Sequence, residues 1–440
     1  MNGKRQLILI TIFLTLAMMS LSGSDQVPAA KQDHPIVLMG GVIHTVSGDI
    51  ISGGEILFIN GKITEVGATV SRPANVEVID ISGKTVYPGF ILAESTLGLT
   101  EIGAVRATND YREVGSINPN VRAKIAYNPD SEHIPVVRTN GIALAQVVPT
   151  GGLLSGTSAV MMLDGWTWED TEMPGGGGVW MSWPNMVVRE RRSGQRRPAE
   201  DDPKKAIREA LENLDKTFDE AEAYHKAIKS GTGNQKTDLR LAGLIPVIEK
   251  KLPLYIRASH VSQIKAAVNW VNRRGYRMVL VGARDSWMVT DLLKANNIPV
   301  IISTTHSLPS RRWQPYDEAY TLPATLADAG ITFALAPGWH PQVRNLPFEA
   351  GTAVGYGLDR DRAIRALTLD AATILGVGDK VGSLEPGKDA TLIVVDGDPL
   401  EIRSAVVSLY IQGRHVDLNN HHRMMNEKYK QRYRQLGITD

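Results

Sequence analysis

The stretch K84-TVYPGFILAESTLGLTE-101 decides how this chain is read. Its first half passes from a β-branched run through Pro88-Gly89 into an apolar run, Phe90 to Ala93. Proline with glycine marks a change of direction, and a short apolar run bounded by such a signal is a buried strand. Upstream, residues 36–86 alternate apolar runs with turns: IVLMGGVIHTV, GEILFINGKITEVG and VEVIDISGKTVYPG. NGK and SGK between β-branched runs are hairpin chemistry, which predicts a small antiparallel sheet.

Downstream the pattern changes. ALAQVVPT, PLYIRAS, RMVLVGA, IPVIIST and ITFALAP read as buried strands. VSQIKAAVNWVNRRG and SWMVTDLLKANN read as amphipathic helices between them. Alternation of strand and helix implies a parallel sheet. The span 87–376 fits an α/β fold with a TIM-like (β/α)8 barrel. Residues 379–418 return to short strands and are expected to pair with 36–86 as one small composite β-sandwich domain built from both chain ends. Residues 419–440 form a basic helical tail, read as a solvated helix packed on the body.

Composition narrows the functional classes. The chain has 440 residues, 43% hydrophobic and 22% charged, with a formal net charge of +1. That balance favours neither nucleic acid nor anionic lipid. There is no cysteine, so disulfides, thiolate metal sites and a cysteine nucleophile are excluded. Lys4 and Arg5 precede the apolar run 7–19, and small residues follow. This is the pattern of a secretory signal peptide over residues 1–24, with cleavage near Ser22 to Ser24. It implies export, to the periplasm for a Gram-negative source, and no membrane attachment after cleavage. Residues 164–201 read as an insertion with Gly175 to Gly178, Trp166, Trp168, Trp180, Trp183 and the run RERRSGQRR. The tryptophans are read as rim packing ahead of a substrate lid. They also give the only footing for a third function, a carbohydrate- or peptide-binding module. Helix-start chemistry follows, with Asp202 as N-cap and Pro203 at the first helical position.

Two motifs at opposite ends carry a family resemblance. GKTVYPGF before Ile91-Leu92 is similar to the opening segment of the amidohydrolase superfamily. TLDAATILG (368–376) with VGSLEPGKDATLIVVDGDPL (381–400) is similar to its closing segment. The chain resembles the imidazolonepropionase-like branch most closely, over about residues 36–415. The resemblance implies a barrel whose strand ends hold zinc or another divalent metal. That ion would lower the pKa of a bound water and polarise a carbonyl. It also implies a hydrolase acting on non-peptide carbon–nitrogen bonds, with a small or cyclic amide as substrate.

The implied ligand positions are occupied here by Glu94, Thr96, Arg257, Gly282 and Gly338. No histidine stands at the expected His-x-His, and arginine cannot ligate a metal. Metal-dependent activity is therefore in doubt. Glu94, Arg257, His260, Asp285, His306 and His340 all follow or end predicted strands and form a candidate pocket at the barrel mouth. Glu94 is the candidate base and Arg257 the candidate anion anchor. The structural alternative for that pair is an ion pair standing where the metal would be. Glu101, Arg106, Asp110, Arg112 and Glu113 make the loop after Glu94 charged, by default a solvated rim. The competing reading of the whole chain is a catalytically impaired binding or partner subunit, paired with an intact homologous amidohydrolase or with itself.

Overall fold

The computed structural model describes residues 26–187, 202–231, 236–338 and 342–438. The predicted signal peptide, the run RERRSGQRR and His340 lie outside them. No helix among the described residues is long and apolar enough to cross a membrane.

The first strands are β1 (Ile36–His44), β2 (Ile50–Ile59), β3 (Lys62–Gly67), β4 (Glu77–Asp80) and β5 (Thr85–Pro88). β1, β2 and β3 run antiparallel in turn. Asn60 and Gly61 join β2 to β3 with φ of 50° and 78°. Two successive positive φ values are what a two-residue hairpin turn asks of Asn-Gly. The second expected hairpin, at SGK, does not form. β4 and β5 both lie parallel to β1, β4 beside Ile36–Met39 and β5 beside Val42–Ile43. The sheet is therefore mixed, and Gly83 (φ 76°) marks a jog between two consecutive neighbours of β1. The jog has room because Gly41 has no side chain: a Cβ there would stand 2.6 Å from Ile81 Cδ1.

At Pro88-Gly89 the chain leaves this sheet. Pro88 pairs with Leu392 and Gly89 N–H donates to Thr391 O at 3.0 Å. A Cβ on Gly89 would meet Ala143 Cβ at 2.6 Å, so glycine permits the close approach that starts the next strand. That strand is β6 (Phe90–Ser95), parallel to β7 (Ile142–Val147). β8 (Leu154–Thr157) and β9 (Ala159–Met162) are one extended run interrupted at Ser158. β9 pairs antiparallel with β7, and β8 pairs antiparallel with β10 (Val179–Ser182). From β10 the wall continues parallel through β11 (Leu254–Ala258), β12 (Met278–Gly282), β13 (Val300–Ser303) and β14 (Phe333–Ala336). β14 comes back beside β6. The expected arrangement of eight parallel strands differs here. Seven strands run parallel, and the run 154–162 bridges the gap between β7 and β10. Ser158 seals that gap, because its Oγ accepts from Gln146 Nε2 at 2.9 Å and donates to Gly178 O at 3.1 Å. β10 also corrects the reading of 164–201 as an insertion, since it is a sheet strand with Trp180 fully buried.

Helices cover the outside of the wall. The longest is α1 (Pro203–Ser230), capped by Asp202, whose side chain accepts from Lys204 N, with Pro203 in its first turn. α2 (Val261–Arg274) follows β11. At the end of the chain, β15 (Leu392–Asp396), β16 (Ala405–Ile411) and β17 (Arg414–Val416) join β5 antiparallel, so one eight-stranded sheet takes strands from both ends. Alternation gives that sheet two apolar faces. Leu392 and Val394 pack with Leu38, Ile56 and Phe58, whereas Ile393 and Val395 pack into the larger core around the parallel strands. α3 (His421–Gln435) ends the chain and contains no buried residue, so the expected packing of this tail on the body is at most shallow.

Candidate functional site

Glu94 and Thr96 stand at the end of β6, and alternation turns them to the same side. Ser95, between them, is buried, and its Oγ accepts from Leu97 N at 2.8 Å, which fixes the chain as it leaves the strand. Arg257 stands near the end of β11, opposite Ser182 of β10. Two residues earlier on each strand, Tyr255 and Trp180 are paired and stacked, with ring centroids 5.0 Å apart. The Arg257 guanidinium lies over the Trp180 ring at 4.4 Å, a cation–π contact that holds it in one orientation. From there Arg257 Nε and Nη2 donate to Glu94 Oε1 at 3.0 and 2.8 Å. Both bonds end on one oxygen. Among the described residues, Glu94 Oε2 accepts no hydrogen bond and Arg257 Nη1 donates none, and each side chain keeps about a fifth of its surface exposed, 20% and 24%.

These two residues line a cleft of about 640 Å³ with Thr96, Ser182 and Gly338 on the strand side, and with Thr100, Glu101, Asn109, Tyr111 and His133 on the loop side. Four of the five implied ligand positions therefore share one cleft. The fifth, Gly282, faces a smaller cavity of about 150 Å³ together with Ser259 and Ser303. A larger groove of about 820 Å³ runs between His133–Arg138, Asp417 and His421. No implied ligand position lines it.

The five candidate residues that are described do not form one constellation. Glu94 and Arg257 are together. His260 is instead the N-cap of α2, with its N–H donating to Gln263 Oε1 at 3.2 Å. Its Nδ1 lies 3.7 Å from Asp285 Oδ2 and 3.5 Å from Arg311 Nη2. Asp285 is fully buried, bonds Arg311 and accepts from Val261 N at 3.0 Å. A carboxylate on the first N–H groups of a helix is an anchoring arrangement. His306 reaches across to Thr352 Oγ1, 2.7 Å away. Among the described candidates the mouth is thus split into an ion pair, a helix anchor and a loop tie, and the helix anchor and the loop tie use their polar atoms internally. Of the charged first loop, Glu101 lines the cleft while Arg106, Asp110 and Glu113 are solvated.

The side chains do not fit the family's metal. Among the described residues no group of three His, Cys, Asp or Glu stands where it could hold an ion. Two implied positions are glycines with nothing to offer, and the one carboxylate is already bonded to a fixed cation. Gly282 has φ of 89°, and a Cβ there would lie 2.8 Å from Ser259 Oγ, so its backbone has settled into a shape that resists a ligating side chain. Tyr111 and His133 are cleft residues that the sequence did not reveal, and Trp180, read there as rim packing, lies under Arg257 instead. The alternation in Val179–Ser182 was the signal for Trp180. The other two come from loops whose course no periodicity encodes. Trp180 and Trp183 are buried, which removes them from any exposed binding platform.

Comparison with known proteins agrees with this frame. The amidohydrolase family model matches residues 342–419. Amidohydrolase tasK of Hapsidospora irregularis is 19% identical over 396 residues, 82% of this chain but 39% of that protein. An imidazolonepropionase of Thermoplasma volcanium is 35% identical over 85 residues, 19% of this chain and 21% of its own length. The match thus spans well under half the length of each of these relatives. Among solved structures, an amidohydrolase from Thermotoga maritima MSB8 superposes with a TM-score of 0.74 at 25% identity, covering 87% of this chain and 99% of that one. The chain belongs to the amidohydrolase superfamily, in its imidazolonepropionase-like branch.

Proposed function

We propose that the protein is an exported hydrolase that cleaves a non-peptide carbon–nitrogen bond of a small or cyclic amide, with Glu94 and Arg257 as the working pair. In this reading residues 87–376 close as a TIM-like barrel, and 36–86 with 379–418 form the composite domain against it. Membership of the family supports a hydrolase, and the comparisons do not favour the partner-subunit alternative. Export rests on the sequence of residues 1–24.

The observation that carries the reading is the one-sided ion pair at the strand ends, which leaves Glu94 Oε2 and Arg257 Nη1 to the cleft. Glu94 Oε2 accepts a proton from a water as its oxygen attacks the amide carbon. Arg257 Nη1 donates to the carbonyl oxygen as negative charge develops there, a role for a cation already held in one orientation by Trp180 and Glu94. Collapse breaks the C–N bond, and the proton on Glu94 passes to the leaving nitrogen. Water is consumed, and an acid and an amine leave. No step passes through a metal, because the ligand positions do not fit one.

The test is a panel of N-acyl amines and lactams with the purified full chain. Glu94→Gln is expected to lower kcat/KM by about 10²–10⁴-fold, as for loss of a general base. Wild-type turnover in that variant, or a panel with no cleaved member, sinks the reading.

A further inference from the structure

The loop facing the working pair has an unmatched surface. Thr100 and Asn109 form an antiparallel bridge. It is flanked by Asp110 N–H to Leu99 O at 2.8 Å and Glu101 N–H to Thr108 O at 3.1 Å. Bonds on either side of a pair make it the narrow kind, with the two side chains close together on one face. Asn109 Nδ2 donates to Gly103 O and Val105 O at 3.2 and 2.9 Å, so the amide cannot flip and Oδ1 is fixed as the side chain's remaining polar atom. Asn109 Oδ1, Thr100 Oγ1 and Glu101 Oε1 are all buried without a partner among the described residues, and Thr100 itself is only 7% exposed. All three residues line the same cleft as Arg257. Three oxygens, one belonging to a carboxylate, are matched by a group with several N–H donors and a positive charge.

We propose that Thr100, Glu101 and Asn109 form a subsite for the ammonium group of the substrate, which makes the substrate class a small amide carrying a primary amine. This rests on the hydrolase reading for its location but is read by binding alone. The carbonyl end of such an amide meets Arg257, and the cationic end meets the loop.

Calorimetric titration of the full chain compares N-(5-aminopentyl)acetamide with N-pentylacetamide, which differ only in the terminal ammonium. The cationic amide is expected to bind about tenfold tighter or better, the scale of a charge-assisted hydrogen bond. Glu101→Gln should abolish that preference, leave affinity for the neutral amide unchanged and leave the melting temperature in place. Equal binding of the two amides by the wild type, or an intact preference in Glu101→Gln, overturns the subsite. Calcium chloride titrated alone is the third arm, and a calcium ion displacing the amine also overturns it. Cleavage restricted to neutral amides would remove the subsite and keep the hydrolase. A cation preference without cleavage would keep the subsite and remove the hydrolase.

Discussion

At the residue scale, the ends of the strands hold groups that have specialised away from ligation, and the two glycines show it differently. Gly282 sits at φ 89° with Ser259 Oγ close to where a Cβ would be. Gly338 has open space on its Cβ side and no positive φ. Reintroducing a ligand should therefore cost very different amounts. Gly282→His is expected to destabilise by about 1–3 kcal/mol, the cost of a strained backbone for a side-chain-bearing residue. Gly338→Asp is expected to stay within about 0.5 kcal/mol, as an open surface change does. Urea denaturation of both variants measures it, and equal losses would refute the distinction. The Glu94–Arg257 ion pair was legible in the sequence as the structural alternative at those positions, because an arginine beside a strand-end carboxylate has few other partners. Its support by Trp180 was not, since the glycine run before β10 masked a strand only four residues long.

At the element scale, the two family motifs are structural devices rather than reactive ones. In SLEPGKDA, Lys388 Nζ bonds Glu385 at 2.9 Å, Ser383 Oγ at 2.6 Å and Gly378 O at 2.7 Å. Gly387, at φ 91°, turns the chain so that its N–H donates to Ile63 O at 2.8 Å, while Ile63 N–H donates to Lys388 O at 2.9 Å. The closing motif thus fastens β3 to the segment that leads into β15. Such a motif is readable because turn chemistry is local, whereas the bridging run 154–162 was missed because nothing local tells an antiparallel intruder from a barrel strand. The same motif sets a pH dependence. The Lys388 ammonium, with Ser47 and Ser383, holds the Glu385 carboxyl down at about 2, against an ordinary value of 4.5. A carboxyl that is more acidic when folded contributes stability above its unfolded pKa and loses it as pH falls toward the folded one. Melting temperature followed from pH 6 to pH 3 should therefore fall more steeply for the wild type than for Glu385→Gln below about pH 4.5. Parallel curves would remove Glu385 from the acid response.

At the scale of the whole molecule, one carboxylate ties three distant parts of the chain. Asp164, almost fully buried, bonds Arg138 at 3.1 Å and Arg414 at 2.9 Å, and Ala29 N–H approaches its two oxygens at 3.4 and 3.3 Å. Arg138 also donates to Gln26 Oε1 at 2.9 Å, and Arg414 to Asp164 O at 3.0 Å. The segment before β1, the residues ahead of β7 and the last strand therefore meet at the single charge that follows β9. Nothing in the sequence announced it, because its members are far apart, Asp164 and Arg414 alone by 250 positions, and each charge reads alone as an ordinary surface group. Two guanidinium groups converge there with little exposure, 7% and 13%, and no other carboxylate bonds either of them among the described residues. Removing the aspartate leaves both cations desolvated and unmatched, so Asp164→Ala is expected to cost about 3–5 kcal/mol. By contrast, truncation after Asn420 removes a helix that buries nothing and should cost no more than about 0.5 kcal/mol. Urea unfolding followed by far-UV circular dichroism separates the two. A loss below about 1 kcal/mol for Asp164→Ala, the range of an exposed pair, would show that the tie is a surface contact and that the chain ends are held by the sheet alone.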